Sequence, residues 1–319
     1  MASLQLPDAC GTCITALYVS NISVWIMSGD ARSLDEVRAE IDDIDAQMRD
    51  LVIRRMTLIS EVSAAKQRSG SAALHPSREA TIMRNLVQQH AGPPSPAILL
   101  RIWREIINSA TALQGRLNVA VCAPEKSVGY WDMARNHFGT DTPMTLHHSP
   151  LDVLRRMSEE RGTVGILPVP QEGEEDPWWP GLASESNGSS RPRIIWRLPF
   201  YASESGRFEN LAAFALAEID PQPSGDDVTV VIVETDQNVS RARIVDSLQS
   251  MQITARMAAV YQDDVAQRRS HLLELKGFIA ESDPCWEIYA EKIGEPLQRI
   301  AVVGAYPAPL IPLTADWSR

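Results

Sequence analysis

One run of residues limits what this chain can fold into more than any other. From Leu34 to about Ser69, apolar side chains recur at alternating spacings near four and three: Val37, Ile41, Ile44, Met48, Leu51, Leu58, Val62 and Ala65. Ser33 stands before the run as an N-cap, and Glu36 three residues on closes a capping box. The pattern predicts a helix of roughly 36 residues, about 54 Å long. A small domain is narrower than that, so much of the apolar stripe needs cover from another chain, and an oligomer is implied.

Two shorter helices are predicted next. Pro76 opens one (Ser77 to about His90), which Gly92-Pro93-Pro94 breaks. Ser95-Pro96 opens the other, with proline at the first helical position. Its apolar side carries Ile98, Leu99, Ile102, Trp103, Ile106 and Ile107, and it ends near Gln114-Gly115. Residues 33–116 therefore read as an all-α unit of three helices.

The polar residues on these apolar sides are informative. Arg55 fills the stripe position between Leu51 and Leu58, where an unpaired buried charge would cost several kcal/mol. Lys66 lies 11 residues on, about 20° around the helix and roughly 16 Å further along. Gln114 continues the Trp103, Ile107, Ala110 stripe. Taken singly, Arg55 and Lys66 read as cations that snorkel or pair with surface acids. Two cations and an amide converging on a helical core, with Arg78-Glu79 opening the neighbouring helix, point instead to an anion pocket. Arg38 lies 17 residues before Arg55, about 25 Å away and about 100° around the helix. The two cannot hold one small molecule within a chain, but in an antiparallel dimer Arg38 of one protomer reaches the Arg55 pocket of its partner.

Charge distribution supports that placement. The 319 residues hold 30 Lys+Arg against 41 Asp+Glu, a net charge of −11 that argues against a nucleic-acid binder. Residues 28–116 carry 12 basic and 11 acidic side chains, while 117–319 carry 18 and 29, so an anionic ligand belongs in the first third. No stretch reaches the roughly 20 apolar residues of a membrane helix. The first residues lack a basic n-region, which argues against a secretory leader and for a cytoplasmic protein. Residues 1–32 read as an extension without persistent structure, and Met27 could be the biological start. Cys10, Cys13, Cys122 and Cys285 are too few and scattered for a disulfide framework, and Cys10-Gly-Thr-Cys13 reads as incidental.

Residues 34–114 resemble the all-helical (type II) chorismate mutases, the kind fused to prephenate dehydratase in bifunctional P-proteins. The matching pieces are Leu34-Asp35-Glu36-Val37-Arg38-Ala39-Glu40-Ile41 with Asp45, the Arg54-Arg55 pair, Glu61-Val62-x-x-Ala65-Lys66, Pro76-x-Arg78-Glu79, and Ile102-Trp103-Arg104-Glu105-Ile106-Ile107 through Gln114. The resemblance implies an isomerase of phenylalanine and tyrosine biosynthesis. It would convert chorismate to prephenate by an intramolecular Claisen rearrangement, with no metal and no cofactor. Arg55 and the partner chain's Arg38 would clamp the two carboxylates, Lys66 and Gln114 would hydrogen-bond the ether oxygen, and Glu79 the ring hydroxyl. Arg78 would complete the clamp or fix Glu79. The implied assembly is a homodimer with shared active sites. Two positions depart from the pattern: His75 stands where an Asp can help bind the hydroxyl, and Ala110 where a Ser can contact a carboxylate.

The remainder reads as two further regions. Leu117–Cys122, Met144–His147 and Thr163–Val169 are predicted strands, with helices at Tyr130–Phe138 and Pro150–Arg161, a βαβαβ rhythm. Residues 117–225 resemble a truncated first lobe of prephenate dehydratase, with Ala123-Pro124-Glu125-Lys126-Ser127 at the substrate loop. The catalytic elements look lost: the loop glycines are missing, the Glu-Asn after the third strand is Pro170-Gln171, and the Thr-Arg-Phe motif is Ala212-Ala213-Phe214. Glu172–Arg193 is predicted to be a loop, with Trp178-Trp179 anchoring it on the surface. Residues 226–319 read β (Thr229–Glu234), α (Ser240–Met251), β (Arg256–Tyr261), β (His271–Ile279), α (Pro284–Ile293), β (Arg299–Val303), a ferredoxin-like order. Their ending, Ile300 to Pro307, resembles the close of an ACT regulatory domain. That domain's phenylalanine-binding motifs are not evident; Val239-Ser240-Arg241 and Met257-Ala258-Ala259 occupy about those places. The expected protein is thus a multidomain chorismate mutase with degenerate dehydratase-like and ACT-like regions. The alternatives are a bifunctional mutase–dehydratase and a non-catalytic ligand-binding or regulatory relative.

Overall fold

The computed structural model describes residues 32–69, 74–123, 129–184, 191–201, 208 and 211–310. Within the first helix the side chains of residue 62 and residues 64–69 lie outside that description, Lys66 among them. So do Cys10, Cys13, Met27 and the expected substrate loop from Pro124 to Ser127. The chain divides into two compact units, Met1–Arg55 and Met56–Arg319.

The three predicted helices are α1 (Leu34–Ser69), α2 (Pro76–Gln88) and α3 (Pro96–Gln114). The capping box forms as the spacing requires. The Ser33 N–H donates to Glu36 Oε2 at 2.8 Å, and the Glu36 N–H donates to Ser33 Oγ at 3.2 Å. Within the first unit, the stripe residues Leu34, Val37, Ile41, Ile44, Met48 and Leu51 are each between 36% and 64% exposed. In the second unit, α2 and α3 bury Ala80, Met83, Leu100 and Ile107 in a core that also holds Val119, Met133, Phe138, Trp196 and Phe200. The second and third helices therefore share a core with the region that follows them.

That region is built on one nine-stranded sheet of order β2-β1-β3-β5-β4-β9-β6-β8-β7. Its first part carries β1 (Asn118–Cys122), α4 (Gly129–Phe138), β2 (Met144–His147), α5 (Pro150–Glu159) and β3 (Thr163–Pro168). β1 pairs in parallel with both β2 and β3, as the βαβαβ rhythm requires. Two strands were not anticipated, β4 (Arg193–Leu198) and β5 (Ala213–Ala217). They pair antiparallel with each other, and β5 also pairs antiparallel with β3. Both are almost wholly buried, so they show continuous apolar runs without the alternation of a half-exposed strand.

The last part runs β6 (Asp227–Asp236), α6 (Arg241–Gln249), β7 (Ala255–Asp263), β8 (Arg268–Lys276), α7 (Cys285–Ile293) and β9 (Leu297–Pro307). Its spatial order 9-6-8-7 places fourth beside first, then third, then second, which is the ferredoxin-like arrangement. α6 and α7 cover one face, over Val231, Val233, Leu273 and Leu275. A single register pair, Ile194↔Gly304, joins β4 to β9 and makes the two sheets one. Glycine is needed there: a Cβ at 304 would lie 2.3 Å from the Ile194 carbonyl oxygen.

Trp178 and Trp179 correct the sequence reading. They are 5% and 1% exposed, inside a core with Val153, Met157, Ile232 and Leu272. The Trp178 Nε1–H donates to the Pro168 carbonyl at 3.3 Å. The polar residues around them had suggested a surface loop. The two indoles instead bring the segment inward over the sheet face that α6 and α7 leave open.

Candidate active site

The expected site residues are distributed over both units. Arg38 and Arg55 fall in the first, and Arg78, Glu79 and Gln114 in the second. Arg38 is exposed on α1, with its guanidinium 3.7 Å from Asp35. Arg55 is half-buried, the environment expected of a cation on an apolar stripe. Arg78 is exposed in the first turn of α2, while Glu79 beside it is buried. Gln114, at the last position of α3, is half-buried and donates from Nε2 to the Ala110 carbonyl at 3.1 Å. His75 is the N-cap residue of α2 but makes no side-chain cap bond.

Glu79 has the best-defined surroundings. Its Oε2 accepts from Arg104 Nη1 at 2.7 Å, and Arg104 is 1% exposed. Burial pushes the Glu79 carboxyl above its ordinary range. Arg104 and the His75 backbone N–H pull in the opposite direction by favouring the anion. The Arg104 guanidinium carbon lies 5.3 Å from the Trp196 ring centroid and 6.0 Å from that of Phe200. Its Nε and Nη2 find no hydrogen-bond partner among the described residues. The aromatic faces, with the quadrupole attraction they offer a cation, take that place.

His137 completes the cluster. Its ring meets Trp196 edge-on at 4.7 Å, and its carbonyl accepts from Asn108 Nδ2 at 3.0 Å. Burial, and then the nearby Arg104 charge, hold its pKa well below 6.5, so the imidazole is neutral at ordinary pH.

Sequence reasoning had not singled out Arg104. The signal was nonetheless available: Leu100, Arg104, Ile107 and Thr111 follow helical spacing on the buried side of α3, with a charge at the second position. The same argument had identified Arg55 on α1. Within the segment expected to match the dehydratase Thr-Arg-Phe motif, the surroundings are those of a packed core. Ala213 and Phe214 lie in β5 with no exposed surface, and Phe214 packs against Tyr306 and under Arg197. Among the described residues, no group of three or more His, Cys, Asp or Glu could hold a metal ion, and no helix is long and apolar enough to cross a membrane.

With this geometry in place, comparison with known proteins is informative. Residues 37–115 match the family Chorismate mutase type II. Over 145 residues the chain is 28% identical to the bifunctional chorismate mutase/prephenate dehydratase of Pseudomonas aeruginosa, covering 44% of this chain and 40% of that protein. The corresponding protein of Aquifex aeolicus is 26% identical over 140 residues, 43% of this chain and 38% of the relative. The chain thus spans about two fifths of the length of these relatives. Among solved structures, prephenate dehydratase from Streptococcus mutans aligns with 60% of this chain and 97% of its own, at 11% identity and a TM-score of 0.40.

Proposed function

We propose that the protein is a chorismate mutase, converting chorismate to prephenate on sites shared between two protomers. The observation that carries this reading is the family match over 37–115, the segment that holds Arg38, Arg55, Lys66, Arg78, Glu79 and Gln114. The chemistry suits them. Chorismate is a dianion, and its rearrangement needs the diaxial conformer held while charge builds on the ether oxygen. Arg55 and the partner chain's Arg38 clamp the carboxylates, bidentately where geometry permits. Lys66 and Gln114 donate to the ether oxygen, and Glu79 accepts from the ring hydroxyl. No proton transfer is required, so the reaction calls on no general base, metal or cofactor.

The dimer is supported by α1. Six large apolar side chains on its first half are exposed in the single chain, and a second copy of the helix is their natural cover. The ferredoxin-like strand order agrees with an ACT-like region at 226–319, without phenylalanine sensing. The absence of a spanning helix among the described residues is compatible with a cytoplasmic enzyme.

The decisive assay follows loss of chorismate absorbance with prephenate identified as the product, and no turnover overturns the reading. Arg55→Ala should lose roughly a hundredfold or more in kcat, the value of one charge-stabilising donor. An unaltered rate would place the pocket elsewhere. Mixing Arg38→Ala with Arg55→Ala protein should restore wild-type sites in heterodimers, and failure to do so refutes sharing. A second reading, the bifunctional enzyme, is favoured by relatives whose match extends past the mutase segment. Phenylpyruvate formed from prephenate without acid would establish it.

A further inference from the structure

We propose that Arg104 is a positioning residue of the mutase site, fixing the Glu79 carboxylate for the substrate's ring hydroxyl, with Arg104 itself held by Trp196 and Phe200 of the appended α/β region. This deepens the proposed function and rests on it.

An ionised Glu79 accepts a hydrogen bond from a hydroxyl more strongly than the neutral acid does, yet the carboxylate is buried, and burial alone favours its neutral form. Arg104 supplies the opposing charge at 2.7 Å. It is buried in turn, and its guanidinium meets one Glu79 carboxylate oxygen and the faces of two aromatic rings. Trp196 is fixed on both sides, by His137 at 4.7 Å and Phe200 at 4.9 Å, each in a T-shaped contact. His137 is anchored through its carbonyl to Asn108, one helical turn beyond Arg104 on α3. The chain of contact runs from β4 through Arg104 to the first turn of α2. Arg78, which precedes Glu79 in the sequence, is exposed, and among the described residues the ion-pair partner of Glu79 is Arg104.

A positioning role through Glu79 differs measurably from a merely structural one. Chorismate turnover by the full-length chain should be measured from pH 4.5 to 8 for wild type, Arg104→Gln, Arg104→Lys, Glu79→Gln and the double variant Glu79→Gln/Arg104→Met. Arg104→Gln should lower kcat tenfold or more at neutral pH with a smaller change in KM. It should also move the acid limb of kcat/KM up by a pH unit or more, because the carboxylate loses the charge that keeps it ionised. Arg104→Lys should return the acid limb to its wild-type position while recovering only part of kcat. The double variant should match Glu79→Gln alone, since Arg104 acts through Glu79.

The double variant also guards against a folding failure of Arg104→Gln, because it replaces a buried ion pair by uncharged groups of similar volume. Independent, multiplying losses in the double variant overturn the proposal, as does an unmoved acid limb in a folded Arg104→Gln protein. Wild-type protein that does not turn over chorismate overturns the underlying reading and this proposal with it. Turnover by wild type with Arg104 variants indifferent to pH overturns this proposal alone.

Discussion

Acid should destabilise this protein in a way traceable to His271 on β8. The side chain is fully buried, with its Nε2 3.1 Å from Thr235 Oγ1. Burial first, and then the charges of Arg269 and Arg241, bring its pKa from 6.5 down to about 4. In the folded chain the imidazole is therefore neutral throughout the mildly acidic range, while in the unfolded chain it gains a proton below about pH 6.5. The stability tied to this group is whole above pH 6.5 and is lost as pH falls, until the folded form takes its own proton near 4. One such group contributes a slope of about 1.4 kcal/mol per pH unit, or about 2 kcal/mol between pH 6.5 and pH 5. The assay is urea unfolding at pH 7 and pH 5, at fixed protein concentration, for wild type and His271→Gln. The amide retains a partner for Thr235 but does not titrate. Wild type should lose about 2 kcal/mol more than the variant over that interval. His137 remains in both proteins and cancels from the comparison. Equal losses would refute the reasoning.

Two further outcomes follow from the sheet. Gly304→Ala should destabilise by about 3 kcal/mol, the upper part of the range for overpacking, because its Cβ meets the Ile194 backbone rather than a side chain that can turn away; a urea midpoint within error of wild type would refute this. Glu274→Gln should cost about 3 kcal/mol or more, since its carboxylate receives Arg197 Nη1 at 3.0 Å, Tyr306 Oη at 2.6 Å and the Arg256 guanidinium; a loss below about 1 kcal/mol in the same titration would mean those arginines find other partners.

The parts of the fold legible in the sequence are those marked by local signals: caps, an apolar stripe, and helices that punctuate the chain. α1 runs from Leu34 to Ser69 as its stripe predicted, and Ser33 and Glu36 form the expected cap, because both signals are local. The β6-to-β9 order could be read because α6 and α7 punctuate the chain between its strands, although β6 is buried at nine of its ten positions. β4 and β5 could not be, since Ile194, Ile195, Trp196 and the whole of Ala213–Ala217 are buried and lose the alternation that marks a strand. Trp178 and Trp179 were misplaced because their neighbours Glu174, Glu175 and Asp176 suggested a solvated loop. In the site, Arg55 could be found as a charge in an apolar stripe. Arg104 obeys the same rule, but its role depends on Glu79, Trp196 and Phe200, which are 25, 92 and 96 residues away in sequence and meet only in the folded chain.

A net charge of −11, taken over the whole chain, is a poor setting for an anionic ligand. In the fold, two buried carboxylates of the appended region are neutralised locally. Glu274 lies between Arg197 and Arg256, and Glu234 between Arg268 and Arg299. Such clusters contribute little field beyond their own surroundings, so the whole-chain sum says little about any one site. The appended region bears on the mutase helices by contact rather than by charge. Trp196 and Phe200 of the α/β region bury the same surface as Met83, Leu100 and Ile107 of α2 and α3. They also supply the aromatic faces on which Arg104 rests. The α/β region can therefore be retained because a neighbouring helical core is built against it. Its sequence should be constrained most tightly at Trp196 and Phe200, the side chains that meet Arg104 of α3.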